Sequence, residues 1–260
     1  MTEQQVPVVR TPVSMRDYAR ACIRAWRGLG DGPTPCKQAV AVLWAQYMIE
    51  TGGKACWNWN IGNVKHVAGD GFDYMCLSGV WEGVTKIAAD ALVASGQAVM
   101  DPSGDHARAV GAGHVSVIFR PPHPATWFRA FQSLDEAMLE HLELLAKRRF
   151  SSAWPAVVSG NLEAFVAALK DRGYFTAAPS AYIAGMRRPF GEFLTSDVFN
   201  VEMDAYLRAL DAETLPELPN PPSEPTRVTS AADMPTILPQ PAELIEGAIA
   251  EYRKERDEEG

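Results

Sequence analysis

Basic charge is scarce in this sequence. Lysine and arginine total 24 against 32 aspartates and glutamates, which leaves a formal net charge of −8. A negative overall field repels phosphate groups, so the composition provides no general attraction to nucleic acid or to anionic lipid. We therefore expect neither nucleic acid nor a membrane as a partner.

Long apolar runs are also missing. The longest, Ala39 to Ile49, is interrupted by Gln46 and is much shorter than the roughly 20 residues that span a bilayer. The first residues, MTEQQVPVVRTPVS, have neither a basic start nor an apolar stretch, so we expect no secretory signal.

Metal-binding spacings are absent too. Four cysteines match no CxxC pattern, which favours buried thiols and leaves one or two disulfides or a metal site as alternatives: Cys22, Cys36, Cys56 and Cys76. Five histidines show no HExxH or paired spacing, and we expect them in loops or at the surface: His66, His106, His114, His123 and His141. The sequence predicts no metal and no cofactor.

Apolar residues, in contrast, make up 47% of the chain, enough for a buried core. Periodicity and capping residues predict a series of helices: Ser14–Leu29, a helix starting at Thr34-Pro35, Val84–Ala94, one opening with the capping box at Ser133, Asn161–Lys170, Ser180–Met186 and Ser196–Leu210. Between Trp57 and Phe119 the pattern changes to Gly- and Asn-rich turns with short alternating runs at 72–77 and 115–119. The predicted fold class is α+β, mainly α, with a small β lobe between helices.

The C-terminal part has a different composition. Proline recurs throughout 213–241, which predicts an extended linker after a domain of residues 1–212. Residues 242–260 carry Leu244, Ile245, Ile249 and Tyr252 at helical spacing and predict a short amphipathic helix.

Glu50 is the candidate catalytic residue. Glycoside hydrolysis needs a carboxylic acid that is still protonated near neutral pH and can give its proton to the departing sugar oxygen. Glu50 ends the second predicted helix, where the helix dipole and burial against aromatic residues would both raise the pKa of a carboxyl group. The alternative interpretation is an exposed glutamate at a helix end.

The stretch after Glu50 is rich in tryptophan, asparagine and glycine, and aromatic and amide side chains are well suited to hold sugar rings and N-acetyl groups. Four segments in order resemble the N-acetylglucosaminidase domains of glycoside hydrolase family 73, in the lysozyme superfamily. They are Ala45–Gly52, Asn58–Lys65 in place of the family's Asn-Asn-Leu-Phe-Gly-Ile-Lys, Phe128–Ser133 for Phe-Arg-x-Tyr-x-Ser, and Arg172–Thr176 for its Gly-Tyr-Ala-Thr segment. The resemblance covers roughly residues 34 to 190.

The resemblance implies Glu50 as general acid, Tyr174 in the lining of the catalytic cleft, and the Asn60 to Lys65 segment in its wall. With the aromatic and amide residues nearby, the predicted substrate-binding set is Trp57, Trp59, Asn60, Asn63, Lys65 and Thr176.

A second carboxylate is expected in the β lobe, where this sequence departs from the family's motif. The candidates by location are Asp70, Asp73, Glu82, Asp101 and Asp105. We select Glu82 because it follows an apparent strand, and another acid or none is the alternative. The separation of the two carboxyl groups decides between retaining and inverting chemistry.

The expected activity is hydrolysis of β-1,4 bonds in bacterial cell-wall glycan, of the N-acetylglucosaminidase type. Muramidase or lytic transglycosylase action is the nearest alternative, and an inactive wall-binding or structural component of an assembly is a different one. A wall substrate without a secretory signal predicts synthesis in the cytoplasm and delivery by a phage particle, an injection apparatus or a holin-dependent route. Residues 213–260 would then attach the chain to such an assembly.

Overall fold

The longest apolar run forms the central helix, α2 (Lys37–Glu50). In a computed structural model that describes residues 3–30, 34–53, 55–101, 113–175 and 178–212, every residue from Ala39 to Tyr47 is buried. A helix that is apolar all round belongs inside a domain rather than on its surface, so α2 is more deeply placed than a single core stripe predicts. The linker at 213–241 and the helix at 242–260 lie outside the described residues.

The start of α2 differs from the prediction at Thr34-Pro35. Cys36 is the N-cap, and its Sγ accepts a hydrogen bond from the Ala39 N–H at 3.4 Å. The helix therefore begins after the proline rather than with it.

Seven further α-helices occur in the described residues. They are α1 (Met15–Arg27), α3 (Lys86–Ala94), α4 (Leu134–Ala146), α5 (Trp154–Val158), α6 (Leu162–Asp171), α7 (Pro179–Thr195) and α8 (Val198–Asp211). The predicted caps at Ser14 and Ser133 are confirmed, and Asn161 caps α6, because each side chain accepts a hydrogen bond from the backbone N–H three residues later. Helix α2 packs against α7, and α1 packs against α4 and α8.

Helix α7 continues well past the predicted end at Met186. Pro189 lies inside it and supplies no backbone N–H. Tyr182, Met186, Pro189 and Phe193 are nevertheless buried along one face, so packing on both sides of the proline holds the helix together.

The strands are short and pair antiparallel. They are β1 (Arg10–Thr11), β2 (Cys56–Trp57), β3 (Asp73–Cys76), β4 (Trp81–Thr85), β5 (Ala98–Met100), β6 (His114–Phe119) and β7 (Trp127–Ala130). Within the described ranges they form three small sheets, with the orders β1-β2, β3-β7 and β4-β6-β5. Strands β3 to β7 lie between α2 and α4 in the chain, which confirms the α+β, mainly α class with small sheets among helices.

The N-terminal segment pairs first with β3 and then with β2. Val6 N–H donates to the Tyr74 carbonyl at 2.8 Å, and Tyr74 N–H donates to the Gln4 carbonyl at 3.0 Å. Further along, Arg10 and Thr11 pair with Trp57 and Cys56.

Two general expectations can be compared with the described residues. All four cysteines are free thiols, with Cys22 and Cys56 buried, Cys76 half-buried and Cys36 exposed. Among the helices of the described ranges, none combines the length and hydropathy needed to cross a bilayer.

Replacing Gly160 with alanine is expected to destabilise the protein. Its φ is +66°, and an added Cβ would lie 2.3 Å from the Gln38 Cβ in the first turn of α2. Such overpacking costs about 1–3 kcal/mol. The matched control is Gly191→Ala, where nothing lies within 4 Å of the new Cβ and α7 should gain about 0.5–1 kcal/mol. Urea unfolding measures both, and equal free energies of unfolding for the two variants would contradict this packing.

Candidate active site

The C-terminal end of α2 places Glu50 inside the protein. Thr51 caps the helix, and Gly52 and Gly53 follow with φ of +61° and +70°, a backbone that favours glycine. Glu50 itself is 3% exposed, so the alternative of an exposed helix-end glutamate is wrong. The side chains around the end of α2 therefore shield this carboxyl group from solvent.

Tyr182 donates a hydrogen bond to Glu50. The hydroxyl on α7 lies 2.8 Å from Glu50 Oε1, and the tyrosine is fully buried. Its ring stacks on Phe175, with 4.2 Å between ring centroids and 4° between planes. Burial raises the pKa of Tyr182 well above its ordinary value, and the charge of Glu50 raises it further, so the hydroxyl keeps its proton as a donor.

Sequence reasoning did not include Tyr182 among the site residues. The residue lies 132 positions from Glu50, and its only sequence signal was helical spacing with Met186. That spacing indicates a buried face but not what the face contacts.

Tyr174 also lies near Glu50. It is 1% exposed and packs edge-on against Phe150, with 5.0 Å between ring centroids. Burial raises the pKa of Tyr174 well above its ordinary value, and the charge of Glu50 adds to the increase, whereas Gln46 opposes it. Gln46 lies one helical turn before Glu50, so Tyr174 faces this end of α2.

The turn after β2 contacts Glu50 from the other side. Asn63 Nδ2 donates to the Glu50 carbonyl oxygen at 2.7 Å. Asn58, Trp59 and Asn63 all have positive φ, between 46° and 57°, a conformation that asparagine tolerates better than most residues. The positive φ angles therefore explain why asparagine occurs at Asn58 and Asn63, independently of the predicted role in sugar binding.

Asn60 has a structural role. Its side chain is buried, accepts from the Val64 N–H at 2.7 Å, and donates to the carbonyls of Val64 and Arg129 at 2.9 Å each. These bonds join the turn to β7. The predicted substrate contact of Asn60 is not among them.

Lys65 and Glu82 lie close together in the β lobe. Lys65 is 5% exposed, its Nζ donates to the Ala125 carbonyl, and it lies 4.1 Å from the centre of the Phe128 ring. Burial lowers the pKa of Lys65 to about 8, and the charge of Glu82 opposes this decrease. Burial raises the pKa of Glu82, and Lys65 opposes that increase. The segment from Asn63 to Lys65 thus bonds Glu50 at one end and lies beside Glu82 at the other.

The remaining predicted binding residues are Trp57, Trp59 and Thr176. Trp57 is 40% exposed on β2. Trp59 is half-buried, packs against the core, and lines a pocket of about 210 Å³ together with Arg24 and Leu134. Thr176 lies outside the described residues, as does Asp105.

The expectation of loop or surface histidines is wrong for His141, which lies in α4 and is 3% exposed. His66 lies in a loop, as expected, but is only 5% exposed. His114 is exposed and His123 half-buried, whereas His106 lies outside the described residues.

His141 packs between α2 and the turn that follows β2. Its Nε2 lies 3.2 Å from Gln46 Oε1, and a Cβ on Gly62 would lie only 2.8 Å from its Nδ1. The glycine of the Asn60 to Asn63 turn is therefore needed to accommodate this ring. His141 thus contacts both the helix and the turn that hold Glu50.

The stability of the protein should depend on pH through His141. Burial lowers the pKa of His141 from 6.5 to about 4, whereas unfolding restores the ordinary value. Between these limits the unfolded chain binds more protons, so the stabilising effect of the neutral ring is complete above pH 6.5 and is lost as the pH falls to 4. The loss should total about 3 kcal/mol. Urea unfolding between pH 4 and 6.5 measures this dependence. The free energy of unfolding should change less with pH in His141→Gln than in the wild type, and an equal change in both would contradict the lowered pKa of His141.

One group of described residues could hold a metal ion by residue type. Glu3, His66 and Asp70 offer ligand atoms within 4.8 Å of one another. The oxygens of Glu3 already accept two backbone N–H groups, and those of Asp70 accept two more and the Arg129 guanidinium. His66 Nδ1 lies 2.9 Å from Asp70 Oδ1. These contacts fasten the N-terminal segment to the loop before β3 without needing a metal.

Comparison of the chain with models of known protein families, with curated proteins and with solved structures gives no match. A functional assignment therefore depends on the motifs and on the geometry around Glu50.

Proposed function

We propose that this chain is a peptidoglycan hydrolase that cleaves β-1,4 glycosidic bonds of cell-wall glycan, of the N-acetylglucosaminidase type. Glu50 is its general acid. The proposed architecture is lysozyme-like, with the β lobe between α2 and α4 forming one wall of the cleft and the helices the other.

The approach of separate segments to one buried residue, Glu50, carries the proposal. The Asn58–Lys65 segment reaches Glu50 through Asn63, and the Arg172–Thr176 segment reaches it through Tyr174. The Phe128–Ser133 segment is bonded to the same turn, because Asn60 donates to the Arg129 carbonyl and Lys65 bridges to Phe128. Of the four segments that resemble family 73, one contains Glu50, two approach it, and the fourth is bonded to the turn that carries Asn63.

Each side chain has a role in the proposed reaction. Glu50 gives its proton to the departing sugar oxygen, and Tyr182 fixes the orientation of the carboxyl group through Oε1. Glu82 is the second carboxylate; burial raises its pKa, and the charge of Lys65 opposes that increase. Trp57, exposed on β2, packs against a sugar face.

Lytic transglycosylase action is the second candidate because it requires only one acid. The arrangement of Glu50, Tyr182 and Tyr174 would serve that chemistry equally, since the sugar's own hydroxyl then attacks in place of water. An inactive wall-binding component is the candidate from another class. A cell-wall substrate also supports our proposal that a phage or injection assembly delivers the chain. Residues 213–260 would attach the chain to that assembly.

Mass spectrometry of the products separates these candidates. Purified peptidoglycan digested by the full chain should release fragments with reducing N-acetylglucosamine ends. Anhydro ends would identify the enzyme as a lytic transglycosylase rather than a hydrolase. Reducing N-acetylmuramic acid ends would identify it as a muramidase. No released fragments would favour the inactive component.

A further inference from the structure

The ribbon of β1 and β2 has one buried face and one exposed face. Thr11 and Cys56 lie opposite each other and are buried, whereas Arg10 and Trp57 lie opposite each other and point outward. Directly opposed residues in an antiparallel pair have neighbouring side chains on one face. Val8, two residues before Arg10 and 42% exposed, extends the same side of the strand. We call Val8, Arg10 and Trp57 the ribbon face.

The backbone of the ribbon face is fixed by Asn58. Asn58 Oδ1 accepts from the Val9 N–H at 2.8 Å, and its Nδ2 donates to the Pro7 carbonyl at 3.0 Å. Trp59 N–H donates to Thr11 Oγ1 at 2.9 Å. The outward side chains therefore stand on a backbone that is held in place before any ligand arrives, which reduces the ordering cost of binding.

The ribbon face borders the end of α2 that carries Glu50. Burial raises the pKa of Tyr47, and the charge of Arg10 is close enough to oppose that increase. Tyr47 and Glu50 are three residues apart on α2 and are neighbours on the helix surface. The ribbon is also joined to this end of α2 by the turn that follows β2, in which Asn63 Nδ2 donates to the Glu50 carbonyl at 2.7 Å.

We propose that the ribbon face is a subsite for the stem peptide of a muropeptide, in which Arg10 pairs with a peptide carboxylate and Trp57 packs against the adjoining sugar. This inference depends on the proposed function. An exposed arginine beside an exposed tryptophan combines an ion-pairing group with an apolar surface, in a chain whose net charge of −8 otherwise repels anions. Glycan strands that carry stem peptides present carboxylates next to sugar rings, whereas strands stripped of peptides present sugar rings alone.

The test compares two substrates with the full chain. One is soluble glycan with intact stem peptides, and the other is the same glycan after an amidase has removed the peptides. Arg10→Gln should raise KM about tenfold on the first substrate, with kcat unchanged, and should leave KM on the second within about twofold. Arg10→Lys should recover part of the loss, and Arg188→Gln, an exposed arginine on α7, is the matched control. Equal increases on both substrates, or no increase on the first, would overturn the subsite.

A failure of the proposed function gives a different result. If the wild-type chain cleaves neither substrate, calorimetric binding of a soluble muropeptide replaces the kinetic measurement. A roughly tenfold weaker affinity for Arg10→Gln would then support the ribbon face without any catalytic activity. Unchanged affinity, or no binding by the wild type, would overturn it.

Discussion

Replacing Glu50 with glutamine is expected to reduce the rate of peptidoglycan clearing by about 10²- to 10⁴-fold. Glutamine has nearly the shape of glutamate, and its carbonyl oxygen can still accept the hydrogen bond that the Tyr182 hydroxyl gives to Oε1. It has no proton to give to a departing sugar oxygen. The loss should therefore appear in the turbidity assay and not in the circular dichroism spectrum.

The control for this variant is Glu163→Gln. Glu163 lies in the first turn of α6 with a side chain that is 60% exposed, so the same chemical change there should leave clearing unchanged. Equal clearing by wild type and Glu50→Gln would remove Glu50 from the mechanism.

Replacing Arg129 with methionine is expected to cost about 3–5 kcal/mol of stability. The guanidinium is bonded to Asp70 at 2.8 Å and to Glu140, and it lies 4.2 Å from the centre of the Phe72 ring. Although burial opposes ionisation of Asp70, His66 and Arg129 hold its pKa below the ordinary value. Methionine fills the space but leaves Asp70 without its cationic partner on β7.

Urea unfolding measures the effect of Arg129→Met. The matched control is Arg188→Met, because Arg188 pairs with Glu192 at the surface, with both side chains about half exposed. Exposed ion pairs contribute about 0–1 kcal/mol, so this variant should unfold almost like the wild type. A loss for Arg129→Met no larger than for Arg188→Met would show that the buried pairs do not join β7 to α4.

Local signals in the sequence predicted the helices well. Ser14, Ser133 and Asn161 cap helices because their side chains bond N–H groups only three residues away. Gly173 has a φ of +69° directly after Arg172, the C-cap of α6, and glycine is the residue most common at such a position. Such features depend on neighbours in the chain and can be recognised without knowing the fold.

Features that depend on distant packing were missed or placed wrongly. Cys36 is not among the favoured N-cap residues, and its role became visible only in the structure. The continuation of α7 through Pro189 depends on burial against α2. The N-terminal segment pairs with Tyr74 across a separation that no local pattern encodes.

In the candidate site, too, local sequence signals predicted some features, whereas contacts between distant residues were missed. Motif order led to Glu50, Asn63 and Tyr174, and the structure brings them together. The hydrogen bond from Tyr182 to Glu50 and the influence of Lys65 on the pKa of Glu82 both arise between separate elements. Sequence patterns gave the type of each residue but not its partner.

The release of new reducing ends from purified peptidoglycan tests the central claim most directly. Wild-type protein and Glu50→Gln are incubated with the same substrate, and the soluble reducing sugar is measured over time. If Glu50 is the general acid, the wild type releases N-acetylglucosamine ends steadily and Glu50→Gln releases almost none. Release at the same rate by both proteins, or by neither, would contradict the claim.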